Sequence, residues 1–189
     1  MKSPRFMLPG VLMLISTVAF AQSDPQKSSV APVPSEAQKS FATMKNLAGE
    51  WEGPVTVPEM PQMSDGKPIH ASLRVTSRGN VLVHEIQEAR TPLDATKYDH
   101  PVTMLYVDGE QLTLIHYCDA GNRPRMIGKM SPDGKRVEFD FVDITGRNQH
   151  QHMHHSLFTI IDANHHTEDW TFMMGDTPIH AHFDLHRTN

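Results

Sequence analysis

Val102-Thr103-Met104-Leu105-Tyr106-Val107-Asp108-Gly109-Glu110-Gln111-Leu112-Thr113-Leu114-Ile115-His116-Tyr117-Cys118 decides the fold. Two β-rich runs flank an Asp-Gly turn, the residue pair that accepts the positive φ angles of a tight hairpin. Antiparallel neighbours follow, and the same grammar repeats along the chain from Gly49 onward. Short alternating runs end in Arg78-Gly79-Asn80, Asp133-Gly134, Asp162-Ala163-Asn164 and Gly175-Asp176. No stretch after Gly49 has the 3.6-residue period of a helix.

Ten strands are expected: Glu50 to Val57, Ile69 to Ser77, Val81 to Ala89, Val102 to Val107, Gln111 to Cys118, Pro124 to Met130, Arg136 to Val142, His152 to Ile161, Thr167 to Met174 and Pro178 to His186. Short links make an antiparallel meander. A meander of this many strands avoids exposed edges by closing into a barrel wide enough to hold a small ligand, with a two-sheet sandwich as the alternative. Before the first strand, Ser35 and Gln38 form a capping box, and Phe41, Met44 and Leu47 recur at helical spacing. One short N-terminal helix is predicted, ending at Ala48-Gly49.

The 189 residues suit one domain with its own core. Lys2 and Arg5 precede a largely apolar run from Leu8 to Phe20, and Ala19-Phe20-Ala21 has the small-x-small form of a cleavage site, so residues 1–21 read as an export signal. Residues 22–34, rich in Gln, Ser, Pro and Ala, read as a linker, and 35–189 as the barrel domain. The mature protein is expected in the periplasm or outside the cell, with no membrane span. Cys118 is the single cysteine, which excludes an internal disulfide framework. A net charge of -5 with scattered Lys and Arg excludes a nucleic-acid partner and leaves a small molecule as the expected one.

Nine of the 13 histidines lie from His150 onward, four of them in His150-Gln151-His152-Met153-His154-His155. If the strands alternate up and down, His116, His152, His154, His180 and His182 reach one rim, with His70 and His100 close by. His165, His166 and His186 reach the other end, and His84 falls in mid-strand. Alternation places His180 and His182 opposite the apolar set Ile179, Ala181, Phe183 and Leu185, hence outward. His116, His152 and His154 are therefore the candidate metal ligands. Three imidazoles on rigid strands with an open position suit a divalent transition metal such as Zn or Cu, and the same groups suit a rim hydrogen-bond network.

Arg125, in the polar turn after His116, is a candidate clamp for a carboxylate or phosphate, or a solvated side chain. Glu168 shares a face with Trp170 and Phe172 and is a candidate inward acid, with Trp170 beside it in a ligand site. No Gly-x-Ser-x-Gly elbow supports serine hydrolase chemistry.

Asn46-Leu47-Ala48-Gly49-Glu50-Trp51-Glu52-Gly53 resembles the opening of calycin-type barrels, the lipocalins, fatty-acid-binding proteins and nitrobindins. Combined with His116-Tyr117-Cys118, Gly121-Asn122-Arg123-Pro124-Arg125-Met126, His152-Met153-His154, His165-His166-x-Glu168-x-Trp170-Thr171-Phe172 and Phe183-x-Leu185-x-Arg187, it resembles a family of secreted bacterial proteins of uncharacterised function with a lipocalin-like barrel. The resemblance covers roughly Phe41 to Arg187. It implies a barrel and export but brings no established activity. Nitrobindins bind haem through a histidine on a late strand, so haem joins Zn and Cu among the expected cofactors. The leading expectation is an exported ligand-binding barrel; a metal- or histidine-dependent, hydrolase-like enzyme using the same cluster is the alternative. A barrel closed by packed side chains would be an interaction module instead.

Overall fold

The computed structural model describes residues 33–64 and 67–188. The expected export signal, 1–21, and nearly all of the linker lie outside the described residues. Helix α1 (Glu36–Lys45) opens on the capping box read from the sequence: Ser35 Oγ accepts from the Gln38 amide at 3.2 Å, and Gln38 Oε1 accepts from the Ser35 amide at 2.8 Å. Its apolar face buries Phe41 and Met44.

The strands are β1 (Gly49–Gly53), β2 (Val55–Thr56), β3 (Ile69–Thr76), β4 (Val81–Glu88), β5 (Val102–Asp108), β6 (Gln111–Tyr117), β7 (Asn122–Met130), β8 (Arg136–Gly146), β9 (Gln151–Asp162), β10 (His165–Met174) and β11 (Thr177–Arg187). Pro54 has no N–H to give a ladder, and it splits the expected first strand into β1 and β2. Ten antiparallel staves result. Each pairs with its sequence neighbour, and β1 pairs with β11 through Trp51 opposite Arg187, which closes the barrel. The sandwich alternative is thereby set aside.

Inward positions alternate as a half-buried sheet demands. Leu82, Leu105, Leu112, Leu114, Phe139 and Phe158 are almost fully buried, and so is Trp51 on the first stave. Arg187 lies 4.1 Å over the Trp51 ring while its guanidinium donates to the carbonyls of Ala48 and Ala163, tying the last strand to the helix–strand junction. Helix α1 packs against β5, β6 and β7 and covers the end where β6 begins. The other end, where β6 finishes, holds an apolar cavity. No helix among the described residues is long and apolar enough to cross a membrane.

Candidate functional site

A cavity of about 360 Å³ occupies the barrel end opposite α1. Its walls come from the final turns of β6 and β10, the first turn of β9, the middle of β11 and the segment around residues 57–63. Trp170, Phe172, Ile179 and Phe183 supply flat and branched apolar surface, and Met60, Met63, Met153 and Met174 supply adaptable surface. The volume lies within the range of small-molecule pockets, roughly 300–1,000 Å³. Among the described residues, four polar side chains line it: His116, Cys118, Asp99 and Asp119.

His116 is only 2% exposed. It sits directly across from Thr103 in the β5–β6 ladder, and Thr103 Oγ1 meets its Nδ1 at 2.9 Å. That contact fixes the ring and leaves Nε2 for an occupant of the cavity. Burial, reinforced by His84, pushes the His116 imidazole down to about 4, so it is neutral at ordinary pH. Burial likewise raises the Cys118 thiol and the Asp99 carboxyl, each further raised by the surrounding carboxylates. Three of the four polar groups are thus biased toward uncharged forms.

One layer deeper, Glu168 is fully buried and ionised. Its Oε2 accepts the Trp170 indole N–H at 2.9 Å, and His166 Nε2 lies 3.0 Å from Oε1. His84 Nε2 also reaches Oε1 at 3.2 Å, close enough for an ion pair but off the line of a good hydrogen bond. Burial alone would raise this carboxyl; the combined pull of His84 and His166 outweighs it and holds Glu168 well below the usual carboxylate range. His84 stacks on Trp170 with ring centroids 5.8 Å apart, and His166 meets Trp51 edge-on at 4.2 Å. The polar core therefore orients the aromatic side chain that lines the cavity.

The structure separates the sequence candidates. His116 and Trp170 line the cavity; Glu168 supports it from below without reaching it. His152 and His154 do come together, with Nε2 of the first 3.2 Å from Nδ1 of the second, both rings packed on Phe141. They are not among the cavity's lining residues. The reason is a bulge: Thr171 pairs with His155 but Phe172 pairs with Met153, so one residue drops out of phase and Met153 takes the cavity position. Pairing of β8 with β9 also stops at Asp140 opposite His155, beyond which β8 runs past Phe141 to Gly146 paired with β7 and no longer with β9. No choice of ring nitrogens brings His116, His152 and His154 all within 4.8 Å of one another. Arg125 points outward from β7 and is held by Asp143 on the neighbouring strand, with Nε 3.1 and 3.2 Å from its two oxygens. His180 and His182 face outward as expected, paired with Glu59 and Asp169.

His84 and His166 carry the polar core and were not among the sequence candidates. The signal was present in His166-x-Glu168-x-Trp170, three positions of one strand face. Strand phase also puts His84 beside Leu82 and Ile86.

Haem fits the site only in part. The neutral His116 imidazole suits an axial ligand, but among the described residues no Lys or Arg lines the cavity to meet propionates, and the acids Asp99 and Asp119 do line it.

No family model and no curated protein matches the chain. Among solved structures it is similar to the crystal structure of Rv2717c from M. tuberculosis, with a TM-score of 0.55 and 15% identity, over 79% of this chain and 98% of that one. It is also similar to a protein of unknown function of the DUF3598 family from Nostoc punctiforme, with a TM-score of 0.38 and 11% identity, over 77% of this chain and 48% of that one. The first likeness is one of fold.

Proposed function

We propose that this chain is an exported binding protein that carries an apolar small molecule in the end cavity, with Nε2 of His116 meeting a neutral polar group of that molecule. The observation that carries the reading is a 360 Å³ cavity walled by aromatic and methionine side chains around one buried imidazole whose other nitrogen is already held. A neutral nitrogen in an apolar surround discriminates strongly, because an occupant that leaves it unpaired forfeits the desolvation cost of the group. The neutral His116 imidazole, with no Lys or Arg lining the cavity among the described residues, argues against fatty acids and carboxylated porphyrins. A hydrolase-like enzyme on the same residues has less support, since the buried Glu168 is engaged by His84, His166 and Trp170 and does not line the cavity.

The test is titration with N-phenyl-1-naphthylamine, a neutral apolar fluorophore, followed by solvent extraction and mass spectrometry of the protein as purified from its native compartment. One saturable site that quenches Trp170 is expected, together with a co-purifying neutral compound that displaces the probe. His116→Leu should retain the probe and lose the natural compound. Failure of the probe to saturate would overturn the reading.

A further inference from the structure

The histidines at the far strand ends are not absorbed by the cavity. His165 and His186 form a direct cross-strand pair on β10 and β11, with their rings stacked at 4.1 Å between centroids and 20° between planes. Asp184, two residues before His186 and on the same outer face, meets both: Oδ1 lies 2.6 Å from Nε2 of His165 and 3.8 Å from Nε2 of His186. One ligand atom from each of the three falls within 4.8 Å of the others.

We propose that these residues form a divalent transition-metal site on the outer face of β10 and β11, with His165, His186 and Asp184 as protein ligands and Zn²⁺ or Cu²⁺ as the ion. Bonds of about 2.0–2.1 Å in a tetrahedral site set donors about 3.3 Å apart, so contacts of 2.6 and 3.8 Å convert to ligation by shifts of under an ångström. Two imidazoles and one carboxylate are a donor set that suits these ions, with a fourth position left to water or another oxygen.

The sheet register brings further carboxylates into the same row. Asp162 pairs with His165 on one side and Glu52 pairs with His186 on the other, and Glu52 in turn faces His70. Across five staves the row therefore reads Asp162, His165, His186, Glu52 and His70. Side-chain exposures of 25% for His165, 43% for Asp184 and 61% for His186 leave the site open to ions from solution.

The site does not depend on the cavity reading, and the experiment keeps them apart. Metal-free, untagged protein is titrated with Zn²⁺ by calorimetry and with Co²⁺ by visible absorption, in the parent and in H165A, D184N, H186A and H116A. One ion per chain is expected, with d–d bands showing nitrogen and oxygen ligation. Each of the first three variants should bind at least about tenfold more weakly, and H116A should bind as the parent does. Because all three side chains lie on the outer face, their melting curves should overlay that of the parent without metal. Less than one Zn²⁺ per chain at micromolar concentration, or unchanged affinity in H186A, overturns the site.

Discussion

Glu168 accepts the indole N–H of Trp170, two residues along the same strand, so a buried anion sets the orientation of the ring that walls the cavity. An ionised carboxylate with no exposure is costly unless its partners are complete. Here His84, His166 and Trp170 surround it, and the three of them come from two non-adjacent strands. The barrel must close correctly before this charge is satisfied. The same arrangement that supports the cavity thus also ties β4 to β10 across the lumen.

Glu168→Gln keeps an oxygen for Trp170 but removes the charge that His84 and His166 face. Removing a charged acceptor from a buried hydrogen-bond network of this kind typically costs about 1.5–3 kcal/mol. The urea midpoint should fall accordingly, with the slope of the transition unchanged. A midpoint within error of the parent would show that the histidines need no anion.

Acid should destabilise the protein chiefly through His116. The folded imidazole sits at about 4 against 6.5 when unperturbed, because burial favours its neutral form. A depressed value stabilises the fold fully above pH 6.5, and that contribution is lost as pH falls from 6.5 toward 4. The full shift corresponds to about 3 kcal/mol. Glu168, held below its ordinary 4.5, adds its own loss only in more acid solution. Thermal melts between pH 7 and 4.5 should fall for the parent and fall less steeply for His116→Leu, in which His152, also lowered by burial, still contributes.

Much of this architecture was legible because turn chemistry and alternation act locally. Asp108-Gly109 and Gly175-Asp176 announced hairpins that the ladders β5–β6 and β10–β11 confirm. The capping box of Ser35 and Gln38 was equally local. The position of Met153 was not, since a one-residue bulge is decided by how β9 must curve to follow β10, and strict alternation has no means of placing it. Pro54 was visible, but its effect depended on whether the ladder needed its missing N–H. The engagement of Arg125 by Asp143 across a second bulge depended on register in the same way. The His84 contact to Glu168 joins residues 84 positions apart on strands that do not pair, so only closure of the barrel creates it.

Gly53 marks the seam where that closure is made. A Cβ built there would lie 1.7 Å from the Asp184 carbonyl oxygen, a backbone atom that cannot swing aside. Gly53→Ala must push β1 from β11 and strain the adjacent bond from the Asp184 amide to the Pro54 carbonyl at 3.2 Å. The cost should exceed about 3 kcal/mol, the upper end of ordinary overpacking. Hydrogen exchange should speed selectively in β1 and β11.

Ala181 offers the converse substitution, one that fills space instead of forcing strands apart. It pairs with Trp170 and lines the cavity beside Ile179 and Phe183. A phenylalanine there enters open volume of about 360 Å³, so it gains apolar burial of about 1.5–3 kcal/mol less any local strain. Ala181→Phe should therefore melt at or above the temperature of the parent, while its affinity for a neutral apolar fluorophore falls at least tenfold. The two readouts move in opposite directions only if the cavity is both empty of packed side chains and the place where ligand goes. Equal fluorophore affinity in parent and variant would put the binding surface elsewhere on the barrel, and a lowered melting temperature would mean that the cavity walls cannot accept a ring at this position.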